Sequence, residues 1–289
     1  MAFSREKLLN WPFDEVLQSY TQRDSMLYAL SLGLGSEPTN PQHLRYVYER
    51  DLETFPTMAV VLGHPGPWMS DPETGIDMLR VLHGEQHLEL HRPLPPAGEL
   101  RAVNRVTQVL DKGAGKGALI TIERRLFDAA GGGDAPYSTQ QAVIFARGNG
   151  GFGGPSGPSR PPQPLPDREP DTTVDIATLP QSALLYRLNG DYNPLHADPE
   201  IAARAGFPAP ILHGLASFGI AARAVLEATG WPAAGRLAAI GLRFSAPVFP
   251  GETIRTELWR EAQGFSFRAR VVARDAVVLN NGYARLQAN

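Results

Sequence analysis

The apolar positions of residues 214–230 recur at roughly helical spacing and stop at Gly230, which predicts a helix that begins at Gly214. These positions are Leu215, Phe218, Ile220, Ala221, Val225 and Leu226. The first backbone N–H groups of a helix lack partners within it and carry the positive end of its dipole. The start of this helix can therefore stabilise an oxygen that becomes negative during a reaction. A glycine there lets that oxygen approach closely.

Apolar and polar residues alternate in four other segments, which predicts antiparallel strands. The segments are residues 100–110 and 119–127 in the first half of the chain, and 253–259 and 265–272 in the second. An apolar helical segment from Tyr20 to Leu34 opens the first half. Each half is thus expected to be one helix wrapped by a sheet.

Between residues 148 and 172 the composition shifts to glycine and proline, which is typical of a linker. We therefore predict an N-terminal domain over residues 1–150, a linker over 151–172 and a C-terminal domain over 173–289. The halves differ in their central segments. Residues 57–63 of the first half are cut short by prolines at positions 65 and 67, and a shortened central helix leaves volume inside the fold.

Composition excludes several classes of protein. The chain has 289 residues, of which 43% are hydrophobic and 20% charged, as in ordinary globular proteins. A net charge of −3 offers no bulk attraction for nucleic acid or an anionic membrane. The absence of cysteine excludes disulfides, thiolate metal sites and a cysteine nucleophile. With no apolar run long enough to span a membrane and no signal-peptide pattern at the N-terminus, we expect a soluble, cytoplasmic protein.

The residues that could act as a general acid or base lie on a turn before the predicted helix. Asp191 and His196 flank an Asn193-Pro194 pair, and Gly190 and Pro194 restrict the backbone so that both side chains can point at one place. A carboxylate and an imidazole in this arrangement form a candidate acid/base pair, with Asn193 able to orient a water or the loop.

Each of these residues also has an ordinary structural explanation. A lone aspartate in such a turn more often bonds its own backbone, and a lone histidine is more often a core or surface residue. Asp191, His196, Asp198 and His213 could together form a metal cluster, but their spacing matches no familiar metal motif, and we expect no metal. Asp198 is better explained as the cap of a short helix that starts at Pro199.

Two other short motifs are explained by local structure. Ser217 is one residue out of register with a nucleophile elbow, so we expect it to be an ordinary helix residue. Residues 113–117 lack the full spacing of a phosphate-binding loop, and a hairpin turn is favoured.

A family resemblance rests on residues 191–199, Asp-Tyr-Asn-Pro-Leu-His-Ala-Asp-Pro, followed by Pro-Ile-Leu-His-Gly at 210–214. This pattern resembles the hydratase 2 motif of the MaoC-like, (R)-specific enoyl-CoA hydratases, and the resemblance extends over nearly the whole chain. It implies an α+β fold, a tandem (double) hot-dog in which antiparallel sheets each wrap a central helix, as a pseudo-dimer within one chain. It also implies a hydro-lyase of fatty acid metabolism that hydrates trans-2-enoyl-CoA to (R)-3-hydroxyacyl-CoA, or catalyses the reverse dehydration.

The resemblance assigns roles to individual residues. The catalytic residues are expected to be Asp191 and His196, with the Gly214 N–H holding the thioester oxygen. Positions that contact the acyl-CoA are matched by His83, Gly84, Lys112 and Phe244. No separate cofactor is implied, because CoA is part of the substrate, and a homodimer is expected. The N-terminal half is expected to have lost catalysis and to accommodate bulky acyl groups.

Two alternatives to hydration stay open from sequence. A hot-dog thioesterase would use the carboxylate and a water to cleave the thioester. A non-catalytic acyl-CoA-binding protein would have lost the chemistry, although the intact Asp191, His196 and Gly214 argue against this for the second half.

Overall fold

In the computed structural model, residues 2–131, 135–231 and 237–287 are described, and they form two compact units that alternate along the chain. The first unit contains the residues up to Gln18, Leu62–His91 and Glu99–Pro162. The second contains Ser19–Val61, Arg92–Gly98 and the residues from Gln163 onward. Each unit contains a run of neighbouring strands.

The first unit is built on an antiparallel sheet with one short helix. Its elements are α1 (Arg5–Leu9), β1 (Val16–Tyr20), β2 (Val81–Leu90), β3 (Gly98–Asp111), β4 (Ala118–Asp128) and β5 (Ser138–Ala146). The strands lie in the order β1-β3-β4-β5-β2, and β3 with β4, β4 with β5 and β5 with β2 are antiparallel. The alternation that predicted strands is visible in β3, where Ala102, Asn104 and Val106 are buried and Arg105 is exposed. Leu8 of α1 and Trp68 complete an apolar cluster on this sheet.

The glycine-rich start of the predicted linker is held by one carboxylate of the first unit. Asp111 accepts hydrogen bonds from the backbone N–H groups of Gly151 and Gly153, each at 2.7 Å. These hydrogen bonds lower the pKa of Asp111, the largest contribution coming from Gly151. Both glycines have left-handed backbone (φ 92° and 79°), which a residue with a Cβ rarely adopts. Residues 147–171 contain no helix or strand, as a linker requires.

The second unit carries the longer helices and a second set of antiparallel strands. Its helices are α2 (Gln22–Ser31), α3 (Pro41–Val47), α4 (Ser182–Tyr186), α5 (Pro199–Arg204) and α6 (Gly214–Ala228). Its strands are β6 (Thr172–Ala177), β7 (Leu237–Phe244), β8 (Thr253–Glu261), β9 (Gly264–Val271) and β10 (Ala276–Leu286). The strand order is β7-β10-β9-β8-β6, with every pair antiparallel.

Helix α6 forms the core of this unit and packs against its sheet. Nearly all of its residues are buried, which a helix rich in alanine and glycine permits because neighbouring elements can approach closely. A Cβ at Gly219 would lie 2.6 Å from Leu32 Cδ2 and 3.1 Å from the Tyr28 hydroxyl, so this glycine sets the distance between α6 and α2. Arg223, also buried, pairs with Glu227 at 2.7 Å one turn later.

The elements predicted from periodicity are confirmed. The helix from Gly214, the opening helix of the first half, the four alternating strands and the cap of α5 by Asp198 are all present. The shortened central segment of the first half forms only a buried 3₁₀ helix, Pro56–Val61. Residues 19–61 lie in the second unit, so the compact units cross the predicted domain limits, and the division into a non-catalytic and a catalytic half stays a prediction. Among the described residues, no helix is long and apolar enough to cross a membrane.

Candidate active site

The turn before α6 is rigid because its own side chains bond its backbone. Asp191 Oδ1 accepts the Asn193 N–H at 3.1 Å, and Asn193 Oδ1 accepts the Leu195 N–H at 3.0 Å. Pro194 occupies the first position of the 3₁₀ helix Pro194–His196, where its missing N–H costs nothing. Asp191 therefore has a local structural role in the turn, and the residue is exposed.

His196 is oriented by a single backbone carbonyl. Its ring is 8% exposed, and Nδ1 lies 2.8 Å from the Ile211 carbonyl oxygen. Because a carbonyl only accepts, Nδ1 carries the hydrogen, and Nε2 of the neutral ring keeps a lone pair. Nε2 has no hydrogen-bond partner within the described part of the chain. Burial lowers the pKa of His196 below its usual value of 6.5, so the ring is neutral and able to accept a proton near pH 7.

The carboxylate and the imidazole converge. One Asp191 oxygen and one ring nitrogen each of His196 and His213 lie within 4.8 Å of one another. A single water forms hydrogen bonds of about 2.8 Å to two acceptors at such a separation. The pair can therefore hold and polarise one water molecule.

Gly214, the first residue of α6, directly follows His213, which belongs to the same cluster as this pair. Its backbone N–H forms no hydrogen bond among the described residues, as expected at a helix start. A Cβ at this position would lie 3.2 Å from Cε1 of Phe244, so the glycine lets the aromatic ring at the end of β7 pack against the helix start. The structure therefore brings Phe244 to the predicted anion-stabilising amide.

His213 is the residue that sequence reasoning missed, because we considered it only as a metal ligand. It is 1% exposed and stacks on His196, with ring centroids 3.7 Å apart and planes inclined by 25°. Its Nε2 lies 3.2 Å from the Asp191 carbonyl oxygen. The signal in the sequence was its position directly before Gly214.

The same three side chains are the group that could contact a metal ion. The lone pairs of two stacked imidazoles lie in nearly parallel planes, so they do not point at one ion about 2 Å from both nitrogens. Asp198 is not part of the group, because its carboxylate caps α5 by accepting the N–H groups of Glu200 and Ile201. The geometry fits acid/base chemistry better than metal binding, and a site without metal stays a prediction.

Three predicted substrate contacts lie in the first unit. His83 and Gly84 are on β2, where the register with β5 shifts between His83 and Glu85, and His83 Nε2 lies 3.1 Å from the Glu85 carbonyl oxygen. Lys112 follows β3 and donates to the Gly157 carbonyl at 3.1 Å. This contact gives Lys112 a local role in holding the linker. The proposed roles of these three residues in binding acyl-CoA stay predictions.

Comparison with known proteins places the chain in a family. Residues 162–281 match the MaoC like domain, and residues 18–148 match the MFE-2 hydratase 2 N-terminal domain. The chain is 41% identical over 269 residues to enoyl-CoA hydratase ChsH3 of Mycobacterium tuberculosis, covering 91% of this chain and 92% of that protein. It is 39% identical over 276 residues to the mouse peroxisomal multifunctional enzyme type 2, covering 93% of this chain but only 36% of the mouse protein.

A solved structure agrees with both domain matches. The MaoC-like dehydratase from Phytophthora capsici superposes with a TM-score of 0.86 at 36% identity, covering 99% of this chain and 98% of that one. The predicted α+β double hot-dog fold is confirmed by such neighbours. The chain belongs to the MaoC-like dehydratase family, in the branch that carries a hydratase 2 N-terminal domain.

Proposed function

We propose that the protein hydrates trans-2-enoyl-CoA to (R)-3-hydroxyacyl-CoA and catalyses the reverse dehydration. The observation that carries the proposal is the convergence of Asp191 and His196 with His213, directly before Gly214, whose N–H has no hydrogen-bond partner among the described residues. Relatives that match more than 90% of the chain support it, since they include a protein named enoyl-CoA hydratase and one named 3-hydroxyacyl-thioester dehydratase.

Hydration needs a water beside the β-carbon, a proton for the α-carbon and stabilisation of the enolate oxygen between these events. Asp191 and His196 Nε2 hold the water and take its proton as it attacks. The Gly214 N–H donates to the thioester oxygen as it becomes negative. The proton then returns to the α-carbon from the same pair, so both additions occur on one face of the alkene.

The acid/base pair and the amide donor are each expected to make a measurable contribution to the rate. Positioned acid/base groups contribute roughly 10²–10⁴-fold in rate. One preorganised amide donor to an oxyanion contributes on the order of 3 kcal/mol, or about 10²-fold. The buried, neutral state of His196 is what the first contribution requires, because an already protonated ring accepts nothing from water.

Finer features of the function rest on the family rather than on this geometry. The short 3₁₀ helix Pro56–Val61 in place of a full central helix supports a preference for bulky acyl groups. The contacts of His83, Gly84, Lys112 and Phe244 with acyl-CoA, the use of no cofactor beyond the CoA of the substrate, and a homodimeric state belong to the same proposal. A cytoplasmic location stays a prediction, because relatives include proteins named peroxisomal.

The test is a hydration assay with single and double variants. Asp191→Asn keeps an oxygen for the Asn193 N–H, and His196→Gln keeps a polar group of similar size, so both should fold. Each is expected to lower kcat for enoyl-CoA hydration by at least about 10²-fold, and the double variant is expected to lose little more, because the two groups act on one water. Asp175→Asn is the matched control, since within the described part of the chain that carboxylate pairs with Arg255 alone, on the sheet.

Thiol release is followed in the same reaction. Loss of the enoyl-thioester absorbance without free CoA indicates hydration, whereas release of CoA thiol would assign the site to thioester hydrolysis. Binding of acyl-CoA with neither change would indicate a non-catalytic binding protein. Near-normal rates in Asp191→Asn or His196→Gln would remove the catalytic assignment.

A further inference from the structure

We propose that His213 is a positioning residue that holds the Asp191–His196 turn in register with the Gly214 amide. This inference rests on the proposed function and deepens it. His213 is the N-cap residue of α6, and its carbonyl accepts the N–H groups of Ala216 and Ser217 at 3.0 and 3.2 Å. Its backbone is therefore part of the helix whose first amide is to bind the thioester oxygen.

One contact of the ring reaches the backbone of the turn. His213 Nε2 and the Asp191 carbonyl oxygen are 3.2 Å apart, and since the carbonyl only accepts, Nε2 carries the hydrogen. Asp191 itself is exposed, and among the described residues its side chain accepts a hydrogen bond only from the Asn193 N–H of the same turn. The hydrogen bond from His213 thus ties an exposed catalytic carboxylate to the buried helix.

The second contact is with the other member of the pair. The His213 ring stacks on His196 at 3.7 Å and also lies 5.0 Å from the ring of Tyr186 at the end of α4. His196 is held at Nδ1 by the Ile211 carbonyl, and the stack restricts tilting of its ring about that bond. A single side chain therefore contacts the backbone of Asp191 and the ring of His196, the two residues that are to hold the water.

The ring performs this role in its neutral form. Burial, with a smaller contribution from neighbouring His196, lowers the pKa of His213 to about 4. Asp191 opposes this shift, and Arg187, at the start of the 3₁₀ helix Arg187–Asn189, supports it. A neutral His213 leaves His196 free to take a proton without a second positive charge stacked against it.

The remaining nitrogen argues against a purely structural role. Nδ1 of His213 is buried and has no hydrogen-bond partner among the described residues. An unpaired buried polar atom costs roughly 1–3 kcal/mol, which phenylalanine, a ring that also fills space, would avoid. A histidine here is therefore best explained by what its Nε2–H holds.

The experiment compares His213→Phe with His213→Gln in the full chain. Phenylalanine keeps a ring in the stack and removes the donor, whereas glutamine places an amide N–H near the position of Nε2. We expect His213→Phe to lower kcat for enoyl-CoA hydration by about 10-fold or more with KM changed by less than about 3-fold, and His213→Gln to recover most of the loss. In the Asp191→Asn background, His213→Phe should have little further effect.

His43→Phe is the matched control. That histidine is also 1% exposed and also has an unpartnered buried Nδ1, but it lies on α3 beside Arg223. It should change thermal stability without changing kcat. Wild-type kcat in His213→Phe, or equal losses in the Phe and Gln variants, would overturn the positioning role.

A second readout separates this inference from the proposed function. Amide hydrogen exchange of Asn193 and Leu195, measured by NMR, should accelerate in His213→Phe and stay unchanged in His43→Phe, whatever reaction the site catalyses. Faster exchange in a protein without hydratase activity would retain the positioning role and reject the function. Unchanged exchange in a protein with full hydratase activity would do the reverse.

Discussion

Adding one methyl group at Gly214 is expected to impair catalysis while changing the stability of the fold very little. In Gly214→Ala the new Cβ would lie 3.2, 3.4 and 3.5 Å from Cε1, Cδ1 and Cζ of Phe244. Carbon atoms prefer separations of about 3.5–4.0 Å, so the ring must move by a few tenths of an ångström. Phe244 is half-buried at the end of β7, so its ring is not enclosed on every side. The packing cost should lie at the low end of the roughly 1–3 kcal/mol that overpacking causes.

The higher helix propensity of alanine offsets part of this packing cost. Alanine is favoured over glycine by up to about 1 kcal/mol inside a helix, and by less at its first residue. The net change in the free energy of unfolding is therefore expected within about 1 kcal/mol of zero. For the reaction, the methyl group hinders the approach of the thioester oxygen to the amide, whose contact is worth on the order of 3 kcal/mol. We expect kcat/KM to fall by about 10²-fold.

The assay pairs urea denaturation with steady-state hydration of an enoyl-CoA. Phe244→Leu and the double variant Gly214→Ala/Phe244→Leu serve as controls, because leucine makes room for the new methyl group. If the double variant regains activity, displacement of the ring caused the loss. A near-normal kcat/KM in Gly214→Ala would refute the role of this amide in stabilising the oxyanion.

Three further outcomes are expected. Because burial lowers the pKa of His196, kcat/KM should hold as the pH falls through 6.5 and drop only at lower pH; a pH–rate profile with an acid limb at or above 6.5 would contradict this. The pKa of His213 is about 4 in the folded protein, below its usual value of 6.5, so the unfolded chain binds a proton at this residue at a higher pH than the folded protein does. The free energy of unfolding should therefore decrease by up to about 3 kcal/mol as the pH falls from 6.5 to 4. In urea titrations, the His213→Phe variant should lack this part of the decrease in stability. Identical pH dependence in the variant and in the wild-type protein would contradict the prediction. In Gly219→Ala the Cβ would lie 2.6 Å from Leu32 Cδ2 and 3.1 Å from the Tyr28 hydroxyl. The melting temperature should therefore drop by several degrees, while the folded protein keeps its kcat. An unchanged melting temperature would show that α2 can move to accommodate the methyl group.

Local signals explain why much of the second unit could be predicted from sequence. Helix α6 begins at Gly214 because the apolar period starts there, and α5 begins where Asp198 and Pro199 supply a cap and a fixed φ. The turn with Asp191, Asn193 and Pro194 likewise depends on bonds between residues close in sequence. Such features need no knowledge of the rest of the fold.

Long-range contacts explain what could not be predicted. Whether residues 19–61 pack with the first or the second half depends on surfaces such as Gly219 against Leu32, which no local pattern reveals. The contact of His213 with the Asp191 carbonyl joins residues 22 positions apart through the fold. Lys112 was matched to a substrate contact by family resemblance, and its bond to Gly157 emerged only from the path of the linker.

The central claim is that one pair of groups, Asp191 and His196, handles the water and the proton opposite the Gly214 amide. Hydration of a trans-2-enoyl-CoA in D₂O, with the product examined by NMR, tests it most directly. We predict (R)-3-hydroxyacyl-CoA with one deuterium at the α-carbon, added on the same face as the hydroxyl group, and no free CoA. Deuterium on the opposite face, or release of CoA thiol in place of hydration, would contradict the account.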